Sequence, residues 1–171
     1  MARRLDYSAR YPLHTTREVY DALTSRDYWE ARVEEMRKYS PNHVASFQVD
    51  DSGIELVLEH ILPRTELPEM AQTVIRKDMV ITRKESYSAF GDGEVTGKYE
   101  AAIPAGPGSL TGTMRLFATD TGATLRTSSE AKVYLPMIGP RLEQLMLVNL
   151  VDLFRAEAEF TERWLGETYP S

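Results

Sequence analysis

At 171 residues, 42% hydrophobic and 27% charged, the chain is long enough to bury one core and reads as a single globular domain over 1–171. A net charge of −6 argues against nucleic acid and against an anionic membrane as default partners. The lack of cysteine excludes disulfides, thiolate catalysis and cysteine-ligated zinc.

Met1-Ala2-Arg3-Arg4 carries two arginines with no apolar run behind them, which does not make a signal peptide. Leu5, Tyr7, Ala9 and Tyr11 alternate with polar residues and predict a first strand ending at Pro12. Thr15-Thr16-Arg17-Glu18 has the form of a capping box, and Ser25 and Asp27 start a second helix with Trp29, Val33 and Met36 on one face. From Val44 the period becomes two. Strands over His43 to Asp50 and Gly53 to Leu62 flank the turn residues Asp50-Asp51-Ser52-Gly53, and Ile54, Leu56, Leu58, His60 and Leu62 share one face. Pro63 to Ile75 breaks the alternation, with a short helix at Glu69-Met70-Ala71 behind Pro68. Strands follow over Met79 to Tyr87 and Glu94 to Ile103, then a rigid break at Pro104-Ala105-Gly106-Pro107-Gly108. The next two strands place Leu110, Gly112, Met114 and Leu116, then Leu125, Thr127, Ser129 and Ala131, on single faces.

After Pro136-Met137-Ile138-Gly139-Pro140 a helical pattern runs to about Trp164. It carries two stripes. Leu142, Leu145, Met146, Asn149, Leu153, Ala156, Phe160 and Trp164 form the broader one, which is expected to face the sheet. Leu147, Val151, Phe154, Ala158 and Leu165 lie nearly opposite and need another cover, for which intrachain contact with the early helices is expected. The most apolar segment, Leu145 to Phe154, is too short to span a bilayer and contains Asn149 and Asp152. A cytoplasmic protein without stable membrane insertion, a monomer or weak homodimer, is the expectation.

This order, from strand and two short helices through about six or seven antiparallel strands to a long C-terminal helix, defines an α+β class. It resembles the START-like superfamily, which includes polyketide cyclases and dehydrases and lipid-transport domains. The resemblance implies a helix-grip fold, in which a curved antiparallel sheet closes on the C-terminal helix and leaves an elongated apolar cavity. Asp27-Tyr28-Trp29, Leu67-Pro68, Ser109-Leu110-Thr111-Gly112-Thr113, Pro136-Met137-Ile138-Gly139 and Glu159-Phe160-Thr161-Glu162-Arg163-Trp164 look most like an actinobacterial family of unknown function within it.

None of these segments is a catalytic motif. His14, His43 and His60 lie far apart without metal-ligand spacing, so no metal site is expected, and no cofactor fingerprint occurs. His60 alone falls on an apolar strand face, as a core histidine or as an acid–base group. Tyr99 sits beside Gly97, and small residues on inward faces leave space for a ligand. Thr127, Ser129 and Asn149 are polar groups on apolar faces that can be satisfied by neighbours or orient a ligand; Met114 and Met146 can line such a pocket. Arg83 and Glu85 follow Met79 and Ile81 in the same alternation, and burying them is costly without partners. A bulge or an exposed strand end, which removes that cost, is the expectation there.

The expected function is binding of a hydrophobic small molecule (lipid, isoprenoid or polyketide-like) by Leu56, Leu58, His60, Tyr99, Met114, Thr127, Ser129, Met146 and Asn149, with Pro63 to Ile75 as a lid. The first alternative is a cyclase, dehydratase or isomerase using His60, Tyr99 or Glu85 in the same cavity. The second is an interaction module using the outer face of the C-terminal helix.

Overall fold

The computed structural model describes residues 3–73, 75–102 and 108–170. The Ile103 strand end and most of the predicted break at Pro104-Ala105-Gly106-Pro107-Gly108 lie outside the described residues. Seven antiparallel strands form one sheet in the order β1-β7-β6-β5-β4-β3-β2: β1 (Arg3–Pro12), β2 (Asn42–Asp50), β3 (Gly53–Leu62), β4 (Met79–Ser88), β5 (Val95–Ala102), β6 (Gly108–Thr119) and β7 (Gly122–Val133). Helices α1 (Thr16–Leu23) and α2 (Arg26–Met36) follow β1, and the long α4 (Gly139–Thr168) lies across the sheet. This is the helix-grip arrangement.

The early helices form where side chains satisfy their free amides. Glu18 N–H donates to Thr15 Oγ1 at 3.0 Å while Thr15 N–H donates to the Glu18 carboxylate at 2.8 Å, the reciprocal capping box. Ser25 Oγ caps α2 by accepting from Tyr28 N–H. Trp29 is fully buried and donates its indole N–H to Leu23 O at 2.8 Å, which fixes α2 against the end of α1. At the β2–β3 hairpin Gly53 adopts φ 135°, and a Cβ there would lie 2.0 Å from Tyr87 O.

Two inward glycines do not leave open space, because tyrosines from the neighbouring strand cover them. Tyr87 is the cross-strand partner of Gly97, and Tyr99 of Gly112. A Cβ on Gly97 would stand 2.8 Å from the Tyr87 ring, and one on Gly112 would stand 2.1 Å from the Tyr99 ring. Aromatic rings laid over strand glycines restore the contacts that the missing side chains forgo. The Tyr99 ring crosses Gly112 and reaches β7, where its hydroxyl meets Ser129 Oγ at 2.5 Å.

Helix α4 presents the stripe opposite to the one its apolar pattern favours. Glu143, Leu147, Leu150, Phe154, Glu157, Thr161 and Leu165 are buried. Leu145 and Asn149 are exposed, and Leu142, Met146, Leu153, Ala156, Phe160 and Trp164 are half-buried. Counting apolar residues misjudges this helix because three polar side chains on its inner face have partners inside the protein. Glu143 accepts from Val133 N–H, Thr161 meets Tyr28, and Glu157 is held by two arginines. Phe154 packs within its own chain, between Tyr7 and Tyr99.

The break between β3 and β4 folds into a 3-10 turn over Arg64–Glu66 and the short helix α3 (Glu69–Gln72). Arg64 ties it together. Its side chain donates to Ile75 O at 2.7 Å and Gln72 O at 2.6 Å, and its backbone N–H donates to Asp78 at 2.8 Å.

Candidate functional site

The space between sheet and α4 divides into two chemically different regions. Near the early helices lies a buried ionic cluster. The alternation of β4 holds through its whole length, so Arg83 and Glu85 both point inward, and neither a bulge nor an exposed end removes them. Arg83 grips Glu157 in a fork, at 2.9 Å and 3.3 Å, and Arg32 from α2 reaches the same carboxylate at 2.8 Å. Arg83 Nε lies 2.9 Å from Glu85, poorly aligned for a hydrogen bond, while Glu85 accepts from Tyr87 OH at 2.8 Å. Arg32 also donates to Tyr28 OH, which meets Thr161 Oγ1 at 2.5 Å. Two cations thus face two carboxylates, enclosing a void of only about 40 Å3. It can hold a water molecule but no lipid.

Burial by itself would raise the Glu157 carboxyl, but the guanidiniums of Arg32 and Arg83 outweigh it and hold it at about 2. Burial raises the Tyr87 hydroxyl, and the Glu85 carboxylate beside it adds to the rise. His60 is half-buried and its Nε2 has no hydrogen-bond partner among the described residues; burial, with the Arg83 cation nearby, lowers it to about 4, so the ring is neutral in the fold.

These two groups predict an acid dependence with a definite sign. Glu157 ionises at about 2 in the fold against an ordinary 4.5, so its stabilisation is complete above 4.5 and is lost as pH falls towards 2. His60 titrates at about 4 in the fold against an ordinary 6.5, so the unfolded chain takes up its proton first and stability falls as pH drops from 6.5 towards 4. Urea titrations at stepped pH should therefore show stability declining through both windows, and His60→Asn should lose the upper stage. A flat profile down to pH 4.5 would contradict the burial of His60.

The second region is apolar and roomy. A cavity of about 510 Å3 lies at the other end of the sheet, within the size range of small-molecule sites. Leu62, Met79, Ile81, Ala101 and Leu110 come from the strands, Leu67, Pro68, Ala71 and Ile75 from the segment tied by Arg64, and Leu142, Leu145, Met146 and Asn149 from α4. Glu66 is the only ionisable side chain along the described lining, and it is exposed. Since Leu145 and Asn149 are both exposed and both line the cavity, it opens beside α4. A larger concavity of about 950 Å3 crosses the outer face of the sheet, but Arg4, Glu55, Lys84, Lys98 and Glu100 line it, a solvated polar surface.

Of the residues singled out from the sequence, Met146 and Asn149 line the apolar cavity. Tyr99, Met114 and Thr127 line the small void beside the ionic cluster, and Ser129 holds the Tyr99 hydroxyl. Leu56 and Leu58 are buried in the core. His60 lies on β3 between the two regions, two residues from Leu62 and opposite Ile81, both of which line the cavity. Sequence reasoning missed Leu142, Leu110, Ala101 and Ile81 as lining, although the apolar residues around Pro68 were a usable signal. No group of metal-ligating side chains gathers among the described residues, and none of their helices is long and apolar enough to cross a membrane.

A buried sheet face closed by one long helix, with an apolar cavity under the β3–β4 connection, defines a protein of the helix-grip fold. Ara h 8.0201 superposes with a TM-score of 0.57 at 9% identity, covering 96% of this chain and 98% of its own. The di-domain ARO/CYC StfQ from the steffimycin biosynthetic pathway superposes with a TM-score of 0.62 at 13% identity, covering 100% of this chain and 53% of its own. At such identities the likeness carries the fold alone. The chain belongs to the family described as protein of unknown function (DUF2505), whose model matches residues 6–165. An uncharacterized protein of Mycobacterium tuberculosis is 29% identical over 96% of this chain and 98% of its own length.

Proposed function

We propose that the protein binds a hydrophobic small molecule, such as a lipid, an isoprenoid or a polyketide-like compound, in the cavity beneath residues 63–78. The observation that carries this reading is the apolar lining of a cavity of about 510 Å3 open beside α4. Burying roughly 300 Å2 of apolar ligand surface there supplies about 7 kcal/mol at about 25 cal/mol per Å2, before ordering costs. Ser109 and Asn149 offer the few polar contacts that orient such a ligand. On this reading the protein works in the cytoplasm as a monomer or weak homodimer.

A second reading is a cyclase-, dehydratase- or isomerase-type reaction in the same cavity. That reading is weaker because acid–base work needs paired titratable groups at the ligand. Glu66 stands alone on the described lining, and Glu157, whose charge acts on His60, is neutralised by two arginines and is a poor base.

Native mass spectrometry of the purified chain should reveal a carried-over apolar compound, and an NBD-labelled fatty acid should bind with a rise in fluorescence. Ala101→Phe places a ring in the cavity and should weaken that binding by about tenfold or more, a loss of at least about 1.4 kcal/mol. Unchanged binding in this variant would put the ligand elsewhere.

A further inference from the structure

The mouth of the cavity bears a surface that folding alone does not account for. Between Ala131 and Asn149 four large apolar side chains stand in solvent: Met137 at 95% exposure, Tyr134 at 62%, Val148 at 56% and Leu145 at 36%. Arg141, Leu145 and Val148 follow one another on one face of α4, and Tyr134 and Met137 lie in the connection leading into it. Met137 holds a positive φ of 70°, uncommon for any residue but glycine, so the backbone is set in a costly conformation with an apolar side chain left in water. Leu13 shares both traits, but it stands singly, which calls for no explanation.

The charges of this surface run against those of the molecule. The chain carries −6 overall, yet the exposed charged side chains over this stretch are Lys132 and Arg141. Its one carboxylate, Glu143, is buried and accepts from Val133 N–H. Arg3 joins them, donating to Pro140 O at 3.1 Å at the start of α4, and Lys132 lies over the Tyr134 ring. On the far side of the cavity, exposed Arg76 and Lys77 directly follow the lining residue Ile75, with Glu66, Glu69 and Asp78 as the acidic residues of that rim, Asp78 accepting from Arg64 N–H.

We infer that this surface docks the cavity mouth onto an anionic lipid bilayer. Exposed apolar and aromatic side chains interspersed with cations match the boundary between acyl chains and anionic headgroups. Leu145 belongs both to the surface and to the cavity lining, so docking sets the opening against the lipid and spares an apolar ligand the passage through water. The choice of a bilayer over a protein partner rests on the cations around the mouth and on the continuity of surface and cavity. The purpose of docking rests on the hydrophobic-ligand reading; the docking itself is measured apart from it.

The test is co-sedimentation of the full chain with phosphatidylcholine vesicles, with and without phosphatidylglycerol, at low and high salt. Binding should appear with phosphatidylglycerol and fall about tenfold or more without it or at high salt. Met137→Asp combined with Val148→Asp should abolish docking while the variant still binds the NBD-labelled fatty acid in the absence of vesicles. Absence of wild-type docking, or docking unchanged in the double variant, overturns the inference even if the fatty acid binds. Docking that follows the expected pattern while neither cavity nor probe interact sustains the surface and sinks the ligand reading. A double variant that shifts a wild-type dimer to monomer without altering vesicle binding assigns the surface to a second copy and overturns the proposal.

Discussion

Glu157→Leu is expected to lower stability by about 3–5 kcal/mol, a large share of what a domain of this size possesses. Among the described residues the carboxylate is the only anion within ion-pair reach of Arg32, and it is the forked partner of Arg83, both buried. Without it the polar contact left to Arg32 among the described residues is the Tyr28 hydroxyl, and that left to Arg83 is the misaligned Glu85, beside the aromatic faces both lie over. The cost is that of stranded charge, which a second variant can demonstrate. Replacing Arg32, Arg83 and Glu85 by methionine or leucine together with Glu157→Leu should recover much of the loss, because an apolar replacement of a whole buried cluster is often neutral. Urea denaturation measures both. A single variant that unfolds at the wild-type midpoint would mean that the cluster is not electrostatically coupled.

Phe154→Asp should leave an unfolded or aggregating product rather than a stable monomer. The ring is buried, its centroid 5.7 Å from that of Tyr7 and 6.3 Å from that of Tyr99, with the Arg83 guanidinium 5.9 Å from its centre. Removing an aromatic side chain from such a site costs about 3–5 kcal/mol through lost burial and the space left behind. The new carboxylate adds a third anion beside Glu85 and Glu157, whose cations are already engaged. Phe154→Leu keeps most of the apolar volume and should fold. Circular dichroism and gel filtration separate the outcomes, and a well-folded Phe154→Asp monomer would show that the residue covers a subunit contact instead.

The succession of elements along the chain, the capping of the early helices and the long final helix were legible because each rests on a local rule: period-two alternation in β1 and β3, the reciprocal pair Thr15 and Glu18, and turn chemistry at Gly53. The orientation of α4 was not. Hydrophobic periodicity ranks Glu157 and Thr161 as surface residues, whereas Arg32, Arg83 and Tyr28 supply partners from positions far along the chain. Arg83 and Glu85 were misplaced for the same reason, since a burial penalty computed for one charge vanishes only when its distant partner is known. The glycines at 97 and 112 misled differently. A missing side chain reads as space, and which neighbour fills it depends on cross-strand register. That displaced the expected cavity. The middle of the sheet is filled by tyrosines and ion pairs, and the opening lies under the segment around Pro68.

The tyrosine–glycine pairs also act on assembly. β5 holds one half of each, Gly97 as the socket for Tyr87 and Tyr99 as the key for Gly112. Sliding β5 by one residue would turn Tyr99 to the outer face and drive a side chain into the place that Tyr87 occupies. Both neighbouring strands would reject the slip at once. Three central strands are thereby indexed to each other by shape, independently of the ion pairs, and the contact of Tyr99 with Ser129 carries the same indexing on to β7.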